Sequence, residues 1–222
     1  MSTSNWQNIS YNIDLVKKLD PKSILDIGVG FGRWGILFRE FLEVWGYNNY
    51  SGKWNRTIDG IEIFPDYIKD YHKYFYDNIY LENALDFLKK TINKYDLINC
   101  GDVIEHFDKN EGLKLIELCL NKSKYVLINI PIGDNWKQGS VNNNDYEMHR
   151  SIWYNSDFTR YNFYIIKGFK DIEKREFSVI LLSGEKINLN LTYGKYFGIK
   201  NILRNKLKLK WLVNIIEGRS KI

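Results

Sequence analysis

The amino-acid sequence predicts an α/β fold built on a mostly parallel sheet, and three observations carry that prediction. The run Ser23–Ile27 is short and apolar, breaks into glycines at 28, 30 and 32, and resumes as an amphipathic stretch from Trp34 to Trp45. That is a buried strand, a tight turn and a helix in succession. Four further short runs, at 57–63, 79–81, 95–100 and 124–130, are separated by stretches of helical pattern, the alternation expected of a parallel sheet with helices on both faces. The last two runs, 164–170 and 177–182, leave no room for a helix between them. They read as a hairpin, which makes the last of the seven strands antiparallel.

A chain of 222 residues, 44% of them hydrophobic, is enough for one core. We read one domain over 1–190 and a basic extension over 191–222. Seven Lys or Arg and a single acid, Glu217, give residues 200–222 a charge of +6, so the remaining chain carries −1. A neutral body argues against a nucleic-acid groove. The extension interleaves its cations with Ile202, Leu203, Leu207, Trp211 and Val213. This pattern fits a helix docked on the domain with a basic outer face, or one lying on a membrane or an acidic partner; the docked form is expected. Cys100 and Cys119, the two cysteines, have no metal-ligand spacing. The first residues show neither a basic nor an apolar leader segment, and no run reaches the ~18 apolar residues of a membrane span. A cytoplasmic location is expected.

Taken in order, Ile9–Leu19 places Ile13, Leu15, Val16 and Leu19 on one face and ends at Asp20-Pro21, a leading helix. The loop 46–56 is polar and Asn-rich, and delays the second strand, which ends in Glu62 and Ile63. Pro65 starts a helix expected to run through Tyr76, with His72 on its surface. A helix from Ala84 to about Lys94 follows the third strand, and Asp108 is positioned to cap a helix from Lys109 to Asn121. Segment 134–145 has the composition of an active-site loop.

The glycine turn can be read in two registers. Gly30-x-Gly32-x-x-Gly35 fits the dinucleotide fingerprint, and an NAD-dependent oxidoreductase is the alternative it offers. Asp26-Ile27-Gly28-Val29-Gly30-Phe31-Gly32 resembles motif I of the class I S-adenosylmethionine (SAM)-dependent methyltransferases. An acid at the strand end repels a pyrophosphate and suits a ligand carrying an ammonium and a sulfonium, which favours the second register. Asp102-x-x-Glu105-His106 after the fourth strand, and the run Tyr146–Trp153 with Glu147, His149 and Ser151, resemble the same class.

The resemblance spans roughly 10–185. It implies a three-layer Rossmann-like sandwich and SAM as cofactor, with S-adenosylhomocysteine (SAH) as product. It implies Asp26 near the methionine ammonium, Gly28, Gly30 and Gly32 giving backbone access, and Cys100 and Gly101 at the methionine end. Rossmann-like folds place a ribose-binding acid where Glu62 stands, beside Ile63. Asn83 and Ala84 would read the adenine edge. A catalytically silent SAM-binding domain remains the other alternative.

For the acceptor chemistry, Glu105, His106 and His149 are the candidates, with His106 either a general base or a support for its loop. Asp102, Glu105, His106 and His149 are similar to the ligand set of metal-assisted members, among them the 2′-O-methyltransferases of small-RNA ends. Asp102 is one methylene shorter than the Glu those members carry, so no metal is expected. The acceptor is expected to be a small molecule or glycan precursor methylated on O or N. A metal-assisted RNA-end methyltransferase is the alternative, and nucleic acid is not the expected partner.

Overall fold

The computed structural model describes residues 5–45, 48–141 and 143–189. The expectations for the basic extension fall on residues outside these. The leading helix α1 (Ile9–Leu19) is followed by β1 (Ser23–Ile27), α2 (Arg33–Arg39) with one wide π-helical turn at Glu40–Val44, and β2 (Thr57–Ile61). Then come α3 (His72–Phe75), β3 (Asn78–Tyr80), α4 (Ala84–Lys90), β4 (Tyr95–Gly101), α5 (Lys109–Lys122) and β5 (Ser123–Pro131). The hairpin β6 (Phe163–Lys170) and β7 (Glu176–Ser183) closes the described chain.

The strands form one seven-stranded sheet in the order β3-β2-β1-β4-β5-β7-β6. The first five are parallel, and β7 runs antiparallel to both β5 and β6. This is the Rossmann-like order, reversing at β1 and β4, and the crevice above that reversal is where such sheets bind ligands. Period-2 alternation divides the sheet residues. Leu25, Ile27, Ile98, Cys100, Val126 and Ile128 join Leu88 of α4 and Leu115 and Ile116 of α5 in one apolar core. The other face carries Ile24, Leu97 and Leu127, all fully buried, on the side where Asn12 of α1 reaches Asn129 of β5.

The helix expected after Pro65 is broken. A single 3-10 turn spans Pro65–Tyr67, Ile68 is extended, and α3 has only four residues. At the break His72 Nδ1 accepts the Lys69 N–H at 2.9 Å. His72 is therefore not a surface residue but is fully buried. α4 also stops earlier than expected, at Lys90, where Thr91 turns extended. Asp108 holds the N-cap position of α5 without a side-chain capping bond. The loop before β2 is anchored through buried charges. Arg39 donates to the carbonyls of Phe75 and Arg56 at 2.9 and 2.7 Å and to Asp77 at 2.7 Å. Glu43 accepts the N–H groups of Asn55 and Arg56 at 2.9 and 2.6 Å.

Beneath the crevice, Asp26 is sealed from solvent. It accepts the Tyr76 hydroxyl at 2.6 Å and the Asn99 amide at 2.7 Å, tying β1 to β4 and to the residue that follows α3. Tyr76 Oη in turn accepts the Gly35 N–H at 3.1 Å in the first turn of α2. Burial outweighs these bonds and pushes the Asp26 carboxyl up to about 7.

The linkage has a definite sign. A carboxyl protonated more readily in the fold than in the unfolded chain contributes stability that is whole below its unfolded value of about 4. That stability is lost as pH rises through about 7. Asp26→Asn keeps the shape and removes the titration. Its stability relative to the native protein should therefore rise by a few kcal/mol between pH 4 and 7.5, measured by urea denaturation across that range. A constant difference would show that Asp26 is ionised in the fold.

Candidate active site

The glycine turn joins β1 to α2. Gly28, Gly30 and Gly32 have φ of 77, 51 and 83°, a region that L side chains enter only under strain. At Gly28 the protein itself also forbids a side chain, because a Cβ would lie 2.7 Å from Val103 Cγ2. The turn is held from three sides. The N–H groups of Gly28 and Val29 donate to the Ile61 carbonyl at 2.9 and 3.2 Å. Glu62, the first residue after β2, accepts the Gly30 N–H at 2.9 Å on one oxygen and the Phe64 N–H at 2.9 Å on the other. Below, His72 Nε2 meets the Gly30 carbonyl at 3.1 Å. Since Nδ1 accepts from Lys69, the proton sits on Nε2 and donates to that carbonyl.

Above the turn lies a chamber of about 230 Å³. Gly28, Gly30, Glu62, Ile63, Asn83, Ala84, Gly101 and His106 all line it, which brings together most of the residues singled out in the sequence. Asp26, Gly32 and Cys100 are not among its lining residues. Asp26 is enclosed below the turn as described. Cys100 faces Cys119 in the core, and their contact together with burial pushes its thiol up. Asn83 lines the chamber while its side-chain oxygen caps α4, accepting the Leu85 N–H at 2.8 Å.

The chamber wall is acidic. Glu62, Glu82, Asp102, Glu111 and Glu147 line it, against Arg33 and Arg150. Burial raises the Glu62 carboxyl above its ordinary value, with the Gly30 and Phe64 N–H bonds opposing. Glu147 is buried, and one of its oxygens has no hydrogen-bond partner. Glu147 belongs to the run Tyr146–Trp153, from which only His149 carries an expected role. The Trp34 indole N–H, also buried on this wall, lacks a partner too.

At the far side of the chamber His106 and His149 meet, with ring centroids 5.1 Å apart. The meeting is built by the backbone. The Glu105 carbonyl accepts the N–H groups of Arg150 and Ser151 at 2.8 and 3.1 Å, which brings the 149–151 segment to the exit of β4. His106 Nδ1 lies 3.1 Å from the Met148 carbonyl, and His149 Nδ1 makes a short bond to the Trp136 carbonyl. A carbonyl only accepts, so both Nδ1 atoms carry the proton and both Nε2 atoms keep a lone pair. Burial holds both imidazoles below their ordinary pKa, and at His149 the neighbouring His106 adds to it. Glu105 is buried with neither carboxylate oxygen hydrogen-bonded. Burial, then the charge of Asp102, pushes its carboxyl well above the ordinary range. One ligand atom from each of Glu105, His106 and His149 lies within 4.8 Å of the others.

No protein-family model matches this chain, and no curated protein matches its sequence. Solved structures do resemble it. A SAM-dependent methyltransferase from Archaeoglobus fulgidus is 16% identical, covering 79% of this chain and 92% of its own, with a TM-score of 0.57. The magnesium protoporphyrin IX methyltransferase of Synechocystis PCC 6803, solved with bound SAH, is 10% identical over 80% of this chain and 83% of its own, with a TM-score of 0.56. The methyltransferase domain of the bacterial protein CtHen1 is 15% identical over 81% and 98%, with a TM-score of 0.53. At such identities the likeness establishes the fold: the chain has the Rossmann-like architecture found in SAM-dependent methyltransferases.

Proposed function

We propose that this protein is a SAM-dependent methyltransferase acting on an oxygen or nitrogen nucleophile of a small molecule or glycan precursor. The observation that carries the reading is Glu62. It stands at the carboxyl end of β2, faces the chamber, and is locked onto the glycine turn by the Gly30 N–H. An acid in that place suits the two hydroxyls of a ribose. The wall with five acids and two arginines supports a cationic cofactor over a dinucleotide, whose pyrophosphate it would repel.

SAM supplies a methyl group on a sulfonium, a leaving group that needs no acid. The chain's own residues bind, orient and accept a proton. Glu62 accepts from the ribose hydroxyls. Asn83 and Ala84, at the entry of α4, take the adenine edge. The glycine turn lets the ligand lie against backbone, and Gly101 does the same at the methionine end. Asp26 and Cys100 act from behind this wall, through the shape they hold. The Nε2 of His106 or His149 would take the proton of the acceptor hydroxyl.

The Glu105, His106 and His149 cluster favours a second reading of that last step. An unpartnered buried carboxylate beside two imidazoles, each oriented through Nδ1 by a carbonyl, is a donor set that fits a divalent ion. These three residues would hold it, and the ion would lower the pKa of the acceptor hydroxyl. This reading goes against the sequence-level expectation that rested on the short Asp102 side chain.

Two measurements test these assignments. Glu62→Ala removes charge-assisted bonds of about 1.5–3 kcal/mol, so calorimetry should show SAH bound at least ten-fold more weakly; unchanged affinity would mean the wrong acid or the wrong ligand. For the metal, Mn²⁺ should raise the melting temperature of the native protein but not of Glu105→Gln or His149→Ala. Should Mn²⁺ leave the native protein unmoved, the two histidines act as bases. Activity would then ignore chelators and fall only below the ordinary imidazole range, since burial keeps both rings neutral to lower pH.

A further inference from the structure

A second cavity, of about 180 Å³, opens beside the first, lined among others by Gly133, Asp134, Trp136, Lys137, His149 and Arg150. His149 lines this cavity and His106 lines the chamber, so the touching pair of imidazoles stands where the two spaces meet. Arg150 lines both. The two spaces differ in charge. The chamber is acidic, whereas the second cavity presents two cations, Lys137 and Arg150, and one acid. That acid, Asp134, already accepts the Tyr154 hydroxyl at 3.0 Å. Arg150 makes one long bond to the Asp145 carbonyl, and among the described residues neither cation is held in an ion pair. Trp136 is a fixed wall: its indole donates to the Glu176 carbonyl at 2.7 Å, and the Arg175 guanidinium lies 4.2 Å from the ring centroid.

We propose that the second cavity is the acceptor's binding site and that it selects a hydroxyl-bearing anion of the sugar-phosphate class. The proposal rests on the methyltransferase reading for the word acceptor, while the anion site stands on the cavity's own residues. An anionic group finds cations in excess of acids on the Lys137 and Arg150 side, whereas the five acids of the chamber outnumber its two arginines and turn it away from the cofactor. Held there, the molecule directs its uncharged hydroxyl end toward His149, whose ring lies 5.1 Å from that of His106 on the chamber wall. The polarity of the two spaces thus orients the acceptor before any catalytic group touches it. A neutral sugar would fill the cavity without this orientation.

The test uses the full-length protein with and without SAH, titrated with glucose, glucose 6-phosphate and inorganic phosphate, following the Trp136 indole resonance by NMR. Glucose 6-phosphate should shift it at ten-fold or more lower concentration than glucose, and phosphate alone should also shift it. Lys137→Gln and Arg150→Gln should each weaken glucose 6-phosphate several-fold, and the double variant should lose the preference over glucose. Lys137→Gln should bind SAH normally. Equal response to glucose and glucose 6-phosphate overturns the proposal, as does a preference that survives in the double variant. So does a shift produced by a short oligoribonucleotide but not by glucose 6-phosphate, which would assign the cavity to an RNA end. If the anion preference holds and SAH fails to bind, the methyltransferase reading falls and the anion site remains; the converse result separates them the other way.

Discussion

Three positive-φ glycines in five residues are a costly way to leave a strand, and the crevice of this protein depends on their being held. No side chain within the turn can do it, so the support comes from outside. Glu62 grips the Gly30 N–H from the ligand side, and His72 grips the carbonyl of the same residue from below. Further down, Asp26 and Tyr76 bind β1 to the start of α2. The turn is thus clamped at one residue by groups from two other segments. Glu62 already has a backbone partner on each oxygen, so its orientation is set before a ligand arrives.

Around this fixed turn the polar groups are sorted by position. Five acids line the chamber, two of them buried, and burial raises the carboxyls of Glu62 on its wall and of Glu105 behind it above their ordinary range. A cationic ligand or ion relieves that strain, because it compensates charges which otherwise must be neutralised by protonation. The imidazoles at the passage show the complementary arrangement. Their Nδ1 protons are committed to backbone carbonyls, and their Nε2 lone pairs are left for chemistry. Beyond them the exposed cations begin. A chemical step between a cationic donor and an anionic acceptor is served by that order of charges.

Much of this was legible in the chain. The seven strands, the closing hairpin and the glycine turn followed from apolar runs and turn residues, because those signals are local. Eight of the residues singled out in the sequence line the chamber because they sit at strand exits, and strand exits are easy to count. What escaped was decided by distant contacts. His72 looked exposed among Tyr and Lys, yet its ring is buried under Gly30, 42 residues away. The partners of Asp26, Tyr76 and Asn99, lie 50 and 73 residues away, on the face to which pleating turns its side chain. Glu147 lay inside a run already singled out. Its significance is burial with one carboxylate oxygen unpartnered, which no spacing reports. The second cavity joins the end of β5 to a loop that folds back on the β4 exit, a juxtaposition invisible along the sequence.

The central claim is that the chamber over the glycine turn is a SAM site organised by Glu62. A crystal structure of the protein grown with SAH tests it most directly. The ribose hydroxyls should lie on the Glu62 carboxylate, the adenine edge at Asn83 and Ala84, and the sulfur should turn toward His106 and His149. Ligand density away from Glu62, or an empty chamber at saturating SAH, would contradict it.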